Sequence, residues 1–140
     1  MPLKPQTADL PRKALIISKN KVVKSIARYI LGDALPCKVV RSAPDGKTVF
    51  KSADNIKVLI LDWALQDKYG SLMKCLKEAK ARKNVIVVNV FNADEQKRWV
   101  SQTLPQIAHN NKIYAVELDF MAISLTISLL RVKSRIAKVK

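Results

Sequence analysis

Short apolar runs alternate with segments in which apolar residues recur every three or four positions. Residues 14–17, 58–61 and 85–88 are continuous apolar runs, which are typical of strands buried on both faces of a sheet. The segment 22–30 places Val22, Val23, Ile26 and Ile30 at helical spacing between basic residues. The pattern therefore predicts strands and amphipathic helices in alternation.

Five such strands are predicted, each followed by a helix, at 14–17, 37–40, 56–61, 85–88 and 112–116. A chain that alternates in this way forms a parallel sheet with right-handed crossovers and helices on both faces. We expect an α/β fold, a flavodoxin-like (βα)5 three-layer sandwich with a five-stranded parallel sheet in the order 2-1-3-4-5. Ligands bind such sheets at the carboxyl ends of the strands.

Three parts of the chain are distinguished. Residues 1–12 contain several prolines and predict a flexible leader. Residues 13–133 form the predicted domain, and residues 134–140 a basic C-terminal extension.

The composition predicts a folded, strongly basic protein. There are 26 Lys and Arg against 11 Asp and Glu, a net charge of +15, and 49% of the residues are hydrophobic. That hydrophobic content is enough for a core. Because no apolar run reaches the roughly 18 residues of a membrane span and no signal peptide is visible, we expect a cytoplasmic protein without a membrane span.

The candidate chemistry is sparse. Three glycines cannot supply a dinucleotide fingerprint or a P-loop, and Cys37 and Cys75 lack metal-ligand spacing, so they are interpreted as small buried thiols. His109 stands alone, and neither a nucleophile beside a base nor a suitable carboxylate pair is visible. We therefore expect no enzymatic activity, no metal and no cofactor.

One carboxylate stands out because Asp62 follows the clearest strand. The segment Asp62-Trp63-Ala64-Leu65, with Gly70 eight places after the aspartate, resembles the phosphoacceptor segment of receiver domains from two-component response regulators. Asp45-Gly46 resembles the turn at the start of that family's second helix. The family's usual proline is replaced by Gln66, and the resemblance covers roughly residues 13–133.

The resemblance implies a phosphorylation site that has degenerated. Receivers hold a divalent cation with two acids after the first strand, where this chain has Ser18 and Lys19. Asn89 takes the place of a hydroxyl residue at the end of the fourth strand, and residues 115–117, which end at Glu117, lack the lysine of the fifth. We expect a pseudo-receiver in which Lys19 pairs with Asp62 in place of a metal. A solvated Asp62 without a partner and a divergent phosphoacceptor are the alternatives.

The last predicted helix carries more apolar surface than one contact needs. Ile123, Ile127 and Leu130 form a second apolar face. This favours a protein partner or a homodimer at the surface that receivers build from their fourth helix, fifth strand and fifth helix. The alternative is a helix packed between the sheet and the preceding helix.

The chain then ends on a cluster of cations, namely Arg131, Lys133, Arg135, Lys138 and Lys140. It could continue the helix, bind anionic lipid, or contact an acidic protein or nucleic acid. No aromatic platform is interleaved with these cations.

The sequence thus favours a signalling or scaffolding interaction module that acts without phosphorylation or magnesium. A basic nucleic-acid-associated regulator and a response regulator still phosphorylated at Asp62 are the alternatives.

Overall fold

The computed structural model describes residues 12–82, 85–91, 113–117 and 121–139. Within these ranges the chain forms five strands and four regular helices. The strands are β1 Lys13–Ile17, β2 Cys37–Val40, β3 Ile56–Asp62, β4 Ile86–Phe91 and β5 Ile113–Glu117; the helices are α1 Lys21–Leu31, α2 Ala43–Ser52, α3 Ser71–Ala81 and α4 Met121–Val139. The predicted leader and the helix expected between β4 and β5 lie outside the described residues, apart from Arg12.

The strands form one parallel sheet. Strands β2, β1, β3 and β4 lie side by side in that order, which confirms the predicted flavodoxin-like arrangement. β5 pairs with the outer edge of β4, from Val87 opposite Ile113 to Phe91 opposite Glu117. The carboxyl ends of β1 and β3 therefore meet near the middle of the sheet.

Two apolar layers enclose the sheet. On one face, α2 and α3 pack over a cluster that includes Phe50 and Leu76. On the other, α1 and α4 pack over a cluster that includes Val23 and Leu129. All seven residues of β3 are buried because this central strand is covered from both sides.

The C-terminal helix α4 is continuous from Met121 to Val139. Its buried side chains include Val132 and Ile136, which pack with residues of α1. Lys133 donates a hydrogen bond of 3.2 Å to Asp33, just beyond α1. The boundary predicted after Lys133 thus falls inside one helix, because the apolar spacing and the core contact both continue beyond it.

The segment that resembled a turn forms the first turn of α2. Ser42 caps this helix by accepting a hydrogen bond from the backbone N–H of Asp45, and Pro44 stands at its start. Gly46 is helical and buried against Ile17 of β1. A Cβ atom at position 46 would lie 2.7 Å from Cγ1 and 3.0 Å from Cγ2 of Ile17. Glycine is therefore required here by the close approach of helix and strand.

Both cysteines are free. Cys75 is buried in α3, and this burial raises the pKa of its thiol to about 11. Cys37 is half-buried, and desolvation raises its pKa while Arg28 opposes the shift. Cys75 therefore stays protonated at neutral pH, which fits its interpretation as a small core residue.

In the described ranges, no helix has the length and apolar character needed to cross a bilayer.

We expect Gly46→Ala to destabilise the protein. Alanine favours a helix over glycine by roughly 1 kcal/mol, but crowding against a buried isoleucine typically costs about 1–3 kcal/mol. Urea unfolding followed by circular dichroism should show a lower midpoint. The second substitution Ile17→Val removes the terminal methyl that the new Cβ atom would meet. The double variant should therefore lose less stability than the sum of the two single variants, and strictly additive losses would contradict this account. Thr48→Ala, on the exposed side of α2, is the control.

Candidate functional site

The candidate site lies where the central strands β1 and β3 end. Asp62, the last residue of β3, is only 5% exposed, and Ser18, the residue after β1, is also buried. The Ser18 hydroxyl donates a hydrogen bond of 2.7 Å to Oδ2 of Asp62. The backbone N–H of Ala64 donates to Oδ1 at 3.1 Å. Each carboxylate oxygen therefore has a protein donor, which offsets the free energy of burying the group.

Ser18 also organises the start of α1. Its Oγ accepts a hydrogen bond of 2.9 Å from the backbone N–H of Asn20, whose side chain caps the helix through Val22 and Val23. The Ser18 backbone N–H donates to the carbonyl of Val40 at the end of β2. One small residue thus connects β1, β2, β3 and α1.

Lys19 does not take the role predicted for it. Its side chain is exposed, and among the described residues its ammonium forms no ion pair with Asp62. The shorter neighbour Ser18 occupies the buried position instead. Pleating accounts for the choice, because Ser18 continues the alternation of Ala14 and Ile16 that faces the α1 side of the sheet. Asp62 continues the same alternation in β3, so it too belongs to the α1 side.

Asn89 belongs to the other face of the sheet. It lies inside β4, which extends to Phe91, and its neighbours Val87 and Phe91 pack under α2 and α3. The Trp63 indole N–H donates a hydrogen bond of 2.8 Å to the Asn89 side-chain oxygen. This buried pair holds Trp63, directly after Asp62, on the face of the sheet that carries α2 and α3, whereas Ser18 lies on the face that carries α1. The sequence pattern could not reveal it, because the partners are 26 positions apart.

The remaining predicted positions lie at the edge of the described structure. The backbone of Glu117 ends β5 opposite Phe91. The side chains of Glu117, Ile123 and Lys138, and all of Lys140, lie outside what the structure describes. They stay predictions.

The segment between β3 and α3 is held by its own side chains. A short 3-10 helix, Trp63–Leu65, follows Asp62. Gln66, which stands where receivers have proline, accepts a hydrogen bond of 3.0 Å from the backbone N–H of Leu72. Asp67 accepts bonds from both the N–H and the hydroxyl of Ser71, at 2.8 and 2.7 Å. Gly70 has the positive φ of 69° that favours glycine.

The Asp67 contacts lower the pKa of its carboxyl, with the Ser71 hydroxyl as the first cause. Because the pKa is lower in the folded than in the unfolded protein, the ionised Asp67 carboxylate stabilises the fold above about pH 4. This contribution is lost as the pH falls further.

Metal ligands are scarce around Asp62. Within the described ranges, no group of three or more His, Cys, Asp or Glu side chains is placed to hold a metal ion. Ser18 offers a hydroxyl where a hard cation would prefer a carboxylate. The arrangement is suited to holding one carboxylate in place.

A second feature is an apolar groove between α1 and α4. Ile26, Tyr29 and Ile30 of α1 line it, together with Thr126 and Leu130 of α4. Tyr29 is 89% exposed and Leu130 52% exposed. Leu130, which was predicted as an interface residue, lies on the α4 side of this groove, and its role in an interface stays a prediction.

The α1 side of the groove was missed because Ile26 and Ile30 have ordinary core spacing. The exposure of Tyr29 is a tertiary property, which its sequence neighbours do not indicate.

Comparisons with known proteins point to one fold. No protein-family model matches the sequence, and no curated protein matches it. The crystal structure of a response regulator receiver domain protein from Clostridium thermocellum is similar, with a TM-score of 0.53 and 14% sequence identity. The match covers 89% of this chain and 98% of that chain. The fold is that of a receiver domain. At this identity the comparison shows the fold alone, so the loss of phosphorylation stays a prediction.

We expect Ser18→Ala to destabilise the fold by about 1–3 kcal/mol, because it removes a donor from a buried carboxylate. Asp62→Ala and the double variant Ser18→Ala with Asp62→Ala complete a double-mutant cycle, in which urea unfolding measures the free energy of unfolding. A coupling of at least about 0.5 kcal/mol is expected between the two positions. Ser52→Ala, on the exposed end of α2, should change stability by less than about 0.5 kcal/mol. Additive effects of Ser18→Ala and Asp62→Ala would contradict the role given to the hydrogen bond.

Proposed function

We propose that this chain is a receiver-like signalling or scaffolding module that binds a protein partner without phosphorylation or magnesium. The observation that carries the proposal is the buried Asp62, whose two oxygens are engaged by Ser18 and Ala64. Phosphoryl transfer to a carboxylate needs an accessible oxygen and a divalent cation that offsets the charge of the phosphate. Ser18 supplies a hydrogen bond in place of the cation, and it holds the strand ends in one arrangement.

Incubation with acetyl phosphate and magnesium chloride tests this proposal. Intact-mass spectrometry should detect no phosphorylated protein, and calorimetry should detect no saturable magnesium binding, because Ser18 leaves Asp62 without a second carboxylate. An authentic receiver domain, treated in parallel, establishes that the donor is active. A phosphoryl adduct that disappears in Asp62→Asn would overturn the proposal and favour a divergent response regulator.

Ser18→Asp is the matched variant for the magnesium arm. It places a second carboxylate beside Asp62, and two carboxylates held close together attract a hard cation. We expect this variant to gain a saturable magnesium response. A response of equal size in the unaltered chain would count against the loss of the metal site.

We further propose that the partner is an acidic protein and that it binds the groove between α1 and α4. Neither helix contains an acidic residue, whereas α1 contains three cations and α4 four. A second copy would bring two such positive surfaces together, which is unfavourable at moderate salt. The exposed side chains of Tyr29, Ile127 and Leu130 favour a protein over a nucleic acid, because apolar groups gain most from burial against other apolar groups.

A photo-crosslinking amino acid at position 29 tests this surface in the cells that make the protein. Crosslinks to a discrete acidic protein are expected at position 29, and Leu130→Glu should abolish them. Position 69 is the control, since Tyr69 is also exposed but precedes α3. Crosslinks to a second copy or to nucleic acid, or equal yields at both positions, would refute the proposed partner.

A further inference from the structure

We propose that the chain has an anion site, separate from Asp62 and from the groove, which binds the phosphate group of a phosphate monoester or inorganic phosphate itself. The site is a cavity of about 110 Å³ at the carboxyl end of the sheet. It lies between the β1–α1 connection and the residue that follows β2. Its lining includes four cations, Lys19, Lys21, Lys24 and Arg41.

The backbone brings these cations together from two parts of the sequence. Lys19, Lys21 and Lys24 come from the start of α1, and Arg41 follows β2. The hydrogen bond of 3.0 Å from the Ser18 N–H to the Val40 carbonyl joins the ends of the two strands. The position of Arg41 beside the lysines is therefore fixed by the sheet.

The cavity is strongly positive. No carboxylate lines it, and in the described part of the chain none of the four cations forms an ion pair. Asp62 lies behind Ser18, which donates to it. Four like charges around one small cavity repel one another, and a bound anion relieves that repulsion.

The cations also occupy the wrong end of a helix for their charge. Helix N-termini carry partial positive charge and favour acidic side chains, yet the first turn of α1 contains Lys21 and Lys24 and no acid. An anion would offset both the lysines and the helix dipole at this place. A bound anion would therefore make this otherwise unfavourable arrangement favourable.

The size and donors of the cavity indicate the ligand class. Its volume equals about three to four water molecules, which suits one phosphate group better than a whole nucleotide. Lysine and arginine together are the usual ligands of phosphate, through charge and through paired N–H donors. The proposed ligand is a phosphate monoester or inorganic phosphate, bound as the dianion.

Calorimetric titration with sodium phosphate, at an ionic strength held constant with sodium chloride, tests the site. The double variant Lys24→Gln and Arg41→Gln should raise the dissociation constant at least about tenfold. The control is Lys77→Gln with Lys80→Gln, which removes the same net charge from the exposed side of α3 on the other face of the sheet. It should leave the constant within about twofold, because distant exposed charges are screened. Equal weakening in the two variants, or the absence of saturable binding, would overturn the proposal.

Competition distinguishes the sources of the phosphate group. Glycerol phosphate should displace inorganic phosphate if the site accepts a monoester, and inorganic phosphate alone is the ligand if it does not. A short oligonucleotide without terminal phosphates should not compete. If the oligonucleotide instead competes, and both double variants weaken its binding equally, the result would indicate general polyanion binding and would refute a dedicated site.

Discussion

The central constraint on this molecule is a parallel sheet covered by helices on both faces. Strand β3 is buried along its whole length, so a polar group at its carboxyl end must find partners within the protein. Asp62 stands at that point, and burial requires each of its oxygens to find a donor. Ser18 and the Ala64 N–H meet this requirement from two sides. The two hydrogen bonds to this carboxylate join the connections that follow β1 and β3.

The hydroxyl of Ser18 does for Asp62 part of what a cation does in a metal site. It compensates the carboxylate at short range, but it carries no charge that could attract a phosphoryl group. The surrounding segment is held by further local contacts, with Trp63 bonded to Asn89 and α3 capped by Gln66 and Asp67. These bonds support the proposal that the site holds a constant shape.

The basic side chains are concentrated in two regions of the surface. Some of them line the cavity beside Ser18, including Lys21 and Lys24 of α1, and others lie on α4, which forms one side of the apolar groove. The two regions use different faces of α1, whose remaining face packs in the core. The net charge of +15 is therefore spread over at least two local surfaces. We propose a phosphate group as the ligand of one and an acidic protein as the partner of the other.

The alternation of apolar runs and amphipathic segments determined the fold class, the presence of a parallel sheet and the position of Asp62 at a strand end. These features follow from periodicity and chain connectivity, which are local properties of the sequence. The partners of Asp62 and Asn89, the meeting of Arg41 with three lysines, and the exposure of Tyr29 were decided by the tertiary structure. The strand residues depend on register and on which face of the sheet they occupy, whereas Tyr29 depends on how α1 packs on the sheet. A shift of one residue reverses that face, so Ser18 became the buried partner where Lys19 had been predicted.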